Sequence, residues 1–440
     1  MSFPRYPEYK DSGVEWLGEV PAHWPVKPVK ALATCNDDVL EESTDATYEI
    51  EYVEISGVEA GRGIAQSTTL TFANAPSRAR RRVRDGDVVV STVRTYLRAI
   101  APVIAPPENM IVSTGFAVIR PRLVESAFLG YLFQAEFLIA EVIARSVGVS
   151  YPAVNASDLM RIHVAAPSAN EQTAIATFLD HETAKIDALV AEQEELIALL
   201  KEKRQAVISH AVTKGLNPDA PMKDSGIAWL GEVPAHWEVV RLKHLAESIK
   251  AGPFGSALTK DMYVTAGYRV YGQEQVIPED FSLGDYYIPV DKYSELSQYE
   301  VAVGDILISC VGTFGKIAIV PPDVEPGIIN PRLIRLRCNQ LITPDLLAGV
   351  LRSTVVFEQF SVLSRGGTMD VISIATLSGI YVAVPPACEQ TPIVQFINQC
   401  TARFDALVTE AEAAISLLKE RRSALISAAV TGKIDVREFA

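Results

Sequence analysis

The chain has 440 residues, 48% of them hydrophobic and 21% charged, which is the balance of a folded protein too long for one ordinary core. Its net charge of −14 argues against coating nucleic acid by bulk charge, so any DNA contact must rest on a local concentration of Lys and Arg. No apolar run reaches the roughly 18–20 residues of a membrane span, and Met1–Pro7 lacks a secretory stretch, which predicts a cytoplasmic protein with no membrane partner.

The first element is a motif from Lys10 to Trp24, KDSGVEWLGEVPAHW. Lys223 to Trp237 repeats it as KDSGIAWLGEVPAHW, identical at 13 of 15 positions. Its Pro and Trp suggest a turn docked by an aromatic anchor, and His23 and His236 are read as structural. Next comes an acidic stretch from Asp37 to Glu59 without Lys or Arg, then Arg78, Arg80, Arg81, Arg82, Arg84, Arg94 and Arg98, interrupted only by Asp85 and Asp87. That cluster, with Tyr96 beside it, is the candidate for tracking phosphates and reaching guanine edges. Val88–Val93, Phe116–Arg120 and Arg161–Ala165 read as strands, and Phe128–Arg145 as helix.

From Glu171 a proline-free segment shows heptad spacing through Ile175, Leu179, Ile186, Leu189, Leu196 and Leu200 to His210. Its twin opens at Glu389 and places Phe404, Leu407, Leu418 and Leu425 in the same register. At 1.5 Å per residue Ile175 to His210 spans roughly 50 Å, or about 15 base pairs of B-DNA. Several seam positions are polar or small, so each helix requires a partner, most simply the other. Pro218 to Pro221 reads as the linker between halves.

The second half repeats the order, with strands at Asp305–Val311, Leu333–Arg337 and Ile380–Val384 and a helix at Asp345–Phe360. Only fragments such as Gly86-Asp87 and Gly304-Asp305 echo between the middles. Its candidate DNA contacts are dispersed: Lys260, Tyr263, Arg269, Gln273, Thr313, Lys316, Arg332, Arg365 and Thr368. The two glycine-bearing loops Gly312 to Lys316 and Arg365 to Thr368 permit close approach to a backbone. A fixed frame around divergent inserts indicates one scaffold carrying two different readers.

Signatures of catalysis are missing from the sequence. It has no GxxxxGK[ST], no GxSxG and no GxGxxG after a strand, and Asn330-Pro331-Arg332-Leu333 lacks the second proline and the aromatic of an amino-methyltransferase tetrapeptide. The five cysteines show no metal-ligand spacing, so neither a metal nor a catalytic site is expected.

This order of motif, divergent domain, Glu-Gln and long helix ending Ala-Val-Thr, given twice from about Lys10 to Val436, resembles the specificity subunit of type I restriction–modification systems. The resemblance implies a mixed α/β protein: target-recognition domains at 1–167 and 218–385, and long antiparallel coiled-coil helices at 168–217 and 386–440, related by a pseudo-twofold repeat. It also implies that each domain reads half of a split site in double-stranded DNA, with the helices as spacer. Two modification subunits would bring S-adenosylmethionine, and restriction subunits would use ATP and Mg, leaving this chain without cofactor or catalysis. A stand-alone regulator with duplicated DNA-binding domains, and a non-DNA scaffold, are the alternatives that the residues leave open.

Overall fold

The computed structural model describes residues 3–59, 63–148, 152–310, 316–363 and 372–439, with the side chains of 361–363 excepted. It divides into two compact units, one of Met1–Glu194 with Glu412–Ala440, the other of Glu195–Ala411. The division falls inside the two long helices, Ala169–Lys214 and Ala387–Val430, and not at the linker. Each unit therefore holds one head, the start of one long helix and the end of the other. Among the described residues no single helix is long and apolar enough to cross a membrane.

The two heads share a topology that their sequences barely share. In the first unit an antiparallel sheet runs Ile100–Pro102, Val88–Ser91, Phe116–Pro121, Ala33–Cys35. Its counterpart in the second unit runs Ile317–Ile319, Ile306–Ser309, Leu333–Cys338, Ala246–Ala251. Beside each lies a second sheet with one parallel pair, Glu49–Val53 with Met110–Ser113, and Tyr268–Tyr271 with Gly327–Ile329. These second sheets escape periodicity because most of their strands are only two to four residues long.

The echo of Gly-Asp between the heads now has a cause. Gly86 and Gly304 turn with positive φ (83° and 81°), and the next residue, Asp87 or Asp305, is 1% exposed. Asp87 accepts both prongs of Arg120 at 2.9 and 2.8 Å, and Asp305 accepts both from Arg337 at 2.8 and 2.9 Å. A buried carboxylate persists only when paired this way, so the aspartate recurs where its surroundings do not.

The expected helix Phe128–Arg145 is two, Ser126–Gln134 and Glu136–Ala144, broken at an extended Ala135. Ala135 cannot cap the second helix; Ser427, from the far long helix, accepts the Glu136 N–H at 3.1 Å. In the second unit Ser209 does the same for Thr354 at 3.0 Å, again across the repeat.

The repeated motif and the repeated Glu-Gln lock together. Trp24, fully buried, donates its indole N–H to Glu171 at 3.1 Å, and His23 bonds the same oxygen at 2.7 Å. Trp237 and His236 bond Glu389 at 3.1 and 2.6 Å. Gln172 and Gln390 each reach back to a proline carbonyl, Pro167 at 2.8 Å and Pro385 at 3.1 Å. The turn after each long helix then covers a tryptophan of the opposite repeat: Gly432 (φ 73°) lies on Trp24, and Gly215 (φ 73°) on Trp237. A Cβ at Gly432 would stand 2.5 Å from Pro21 and 2.9 Å from the Trp24 ring, so glycine is required by both space and backbone.

Burial pushes the Glu171 carboxyl up, but hydrogen bonds from His23, Trp24 and Ser168 together outweigh it and hold its pKa below the usual glutamate range. A carboxyl depressed in the fold adds stability above its unfolded pKa and loses that contribution as pH falls through the folded value. Acid titration from about pH 5 downward is therefore expected to destabilise the wild type more steeply than Glu171→Gln, as read by urea melts. Parallel curves would show that the lock does not titrate.

Candidate nucleic-acid interface and helical frame

Within the first unit the far helix runs antiparallel to the near one, with Arg422 donating to Asp187 at 2.9 Å. The second unit repeats the pair as Arg204 and Asp405, 3.5 Å apart. On the first helix the covered positions include Ile186, Val190, Gln193, Ile197 and Leu200, and on the second Phe404, Val408, Ala411, Ile415 and Leu418. Leu425 is likewise half-buried. The expected seam positions Leu189, Leu196 and Leu407 instead stand 44%, 41% and 40% exposed. The heptad is shared at every second seam position and one residue out at the others. Both neighbouring edges are apolar, so only the partner helix selects which is covered.

The seam leaves matched apolar points in the two units. Leu189 and Leu417 (44% and 65% exposed) belong to the first, and their repeat equivalents Leu407 and Leu199 (40% and 54%) to the second.

In the first head the arginine cluster begins on Ala79–Arg82, an edge strand two places from the acid-rich Glu49–Val53. Arg78 donates to Tyr52 at 3.2 Å and Glu54 at 3.1 Å, and Arg84 to Asp38 at 2.7 Å, with Arg82 3.9 Å from the same carboxylate. Arg98 pairs with Glu136 at 2.8 Å. Arg80 lies 4.8 Å over the Phe72 ring, and Arg81 is half-buried. The excess of positive charge along the sequence is thus offset in space, because sheet pairing and turns bring the acidic stretch back against it. What remains is a mixed-charge face with long, partly exposed donors. Beyond it, Arg94, Tyr96 and Arg98 occupy the turn after the strand Val88–Ser91, where Tyr96 is 53% exposed.

In the second head Gln273, at the start of Gln273–Val276, donates to Ser309 at 2.7 Å and accepts from Arg332 at 3.4 Å. Lys316 is exposed, and its carbonyl accepts the Ser309 N–H at 2.9 Å. These groups gather at the end of the strand Ile306–Ser309, the counterpart of the Arg94–Arg98 turn. Lys260 is exposed and Tyr263 packs 5.1 Å from Tyr286, on a separate segment. Arg269 is 4% exposed, bonded to Glu325 and to the carbonyls of Ser282 and Gly284 at 2.9 and 2.6 Å, and is therefore structural. Thr313, Arg365 and Thr368 lie outside the described residues. Among the described residues no cluster of three or more His, Cys, Asp or Glu is placed to hold a metal.

The family model for the type I restriction modification DNA specificity domain matches residues 50–198 and 234–417. The chain belongs to the type I restriction–modification DNA-specificity family. Its role is DNA-sequence specificity within such a system, and the family is one of recognition subunits, not itself catalytic. The type I restriction enzyme MjaIX specificity subunit of Methanocaldococcus jannaschii is 24% identical over 98% of each chain. The EcoDI specificity subunit of Escherichia coli is 23% identical over 72% of each. A chain solved in a study of assembly and conformational transition of the type I R-M system superposes with a TM-score of 0.72. It is 22% identical, and the match covers 93% of this chain and 98% of that one. At such identity the likeness establishes the fold. Membership of the specificity family selects one of the three readings that the residues leave open.

Proposed function

We propose that this chain reads a split, asymmetric site in double-stranded DNA, one half-site with each head, on behalf of two modification subunits and the restriction subunits that join them. The observation that carries this reading is the interlocked repeat: one frame, closed by Glu171 and Glu389 on equivalent His-Trp pairs, holds two heads with the same main-sheet order and different surfaces. Closely similar frames favour two copies of one partner, and the matched leucines, Leu189 with Leu417 and Leu407 with Leu199, offer each copy the same apolar contact. Different surfaces favour two different half-sites. The chemistry is assigned to the partners: S-adenosylmethionine with the modification subunits, ATP and Mg with the restriction subunits.

Each long helix passes from one unit into the other, so the number of helical residues between the heads is proposed to set the unread gap. Co-expression with the modification subunit is expected to place adenine methylation at a bipartite motif; a methylome without such marks overturns the reading. Adding one heptad to both long helices at equivalent positions adds about 10 Å, and the gap is expected to lengthen by roughly three base pairs with both half-sites unchanged. A change in the half-sites themselves would refute the spacer role.

A further inference from the structure

Between the strands Val88–Ser91 and Ile100–Pro102 the chain makes one tight turn, Thr95–Leu97, bracketed by Arg94 (φ 51°) and Arg98 (φ 53°). Left-handed backbone is costly for a residue with a Cβ and persists where the surroundings over-determine it. Here they do. Thr95 is buried and its hydroxyl bonds Ser146 at 2.7 Å, the Arg94 N–H donates to the Pro152 carbonyl at 2.8 Å, and Arg98 grips Glu136 through two bonds of 2.8 and 3.0 Å. The turn so braced holds two large apolar side chains outward, Tyr96 at 53% and Leu97 at 47% exposure, between Arg94 and Arg98.

The sequence carries a second, independent sign. At the same shift that aligns Gly86-Asp87 with Gly304-Asp305, Val93-Arg94-Thr95-Tyr96-Leu97-Arg98 falls on Val311-Gly312-Thr313-Phe314-Gly315-Lys316. Valine, threonine, an aromatic and a terminal cation recur in register within heads that otherwise share little, and glycine stands where Arg94 is left-handed. A feature common to both heads does not itself choose between half-sites. It fits something both heads meet whatever the base sequence, and every base offers a π face to an aromatic ring.

We infer that Tyr96, with Leu97 beside it, is a wedge that enters a base step of the half-site under the first head, partly unstacking it, while Arg94 holds a flanking phosphate and Arg98, paired with Glu136, keeps the turn in place. This rests on the DNA-reading role proposed above. Apolar side chains inserted between base steps kink duplexes in this way.

The test uses the full chain assembled with its modification subunits, and short duplexes of the methylated motif carrying 2-aminopurine at each unmethylated position in turn. Wild type is expected to raise fluorescence at one step of the half-site under the first head. Tyr96→Ala/Leu97→Ala is expected to abolish that rise and weaken binding about ten- to a hundredfold, with the salt slope and subunit stoichiometry unchanged, while Tyr96→Phe keeps the rise. A rise at that same step that survives the double substitution overturns the wedge, as does a double variant that loses its modification subunits while still binding DNA. A wild-type complex that binds no methylated motif overturns the DNA-reading role itself.

Discussion

Replacing Asp87 by Ala is expected to destabilise the first unit by about 3–5 kcal/mol, the cost of leaving one partner of a buried ion pair uncompensated. Arg120, 18% exposed at its side chain, would lose both prongs, and the Arg84 N–H, which donates to Asp87 at 2.8 Å, would lose its acceptor. Asp305→Ala is expected to do the same to the second unit, where Arg337 and the Ala302 N–H at 2.8 Å depend on that carboxylate. Urea titrations would show an earlier first transition in each variant. Asp87→Ala combined with Arg120→Met is expected to recover most of the loss, because removing both charges leaves nothing unpaired. A single substitution without effect would mean that the pair is solvated.

Leu189→Asp with Leu417→Asp is expected to remove one modification subunit from the complex and leave the other in place. The two leucines belong to the first unit, while their equivalents in the second, Leu407 and Leu199, stay intact. Charges set into an apolar contact of this kind weaken association by about 2–4 kcal/mol, or roughly 30- to 1000-fold in Kd. Native mass measurements on the co-expressed complex would show one modification subunit per chain. Retention of two would remove these leucines from the docking surface.

Much of the site was legible in part. The duplicated motif announced the frame because a lock built on a fully buried tryptophan tolerates few substitutes, and Trp24 and Trp237 are both fully buried. The strands Val88–Ser91 and Ile306–Ser309 were legible from three consecutive apolar residues each, and both are buried at every position. The arginine cluster was visible but its electrostatics were not, since Glu54, Asp38 and Glu136 lie 24, 46 and 38 residues from Arg78, Arg84 and Arg98. Arg269 looked like any other candidate cation until three carbonyls and Glu325 were found around it.

By itself the sequence determined that the chain is a frame written twice around two divergent α/β heads, with two long helices and no catalytic signature. Identity between copies and periodicity within helices are local properties, readable without coordinates. Tertiary structure decided which edge of each helix is covered, since Leu189 and Val190 are both apolar and only the neighbouring helix distinguishes them. It also decided the closure of each unit by the opposite repeat, through Gly432 on Trp24 and Ser427 on Glu136, because such pairings join residues that chain order holds far apart. The braced turn that exposes Tyr96 likewise depends on Ser146, Pro152 and Glu136 meeting it in space.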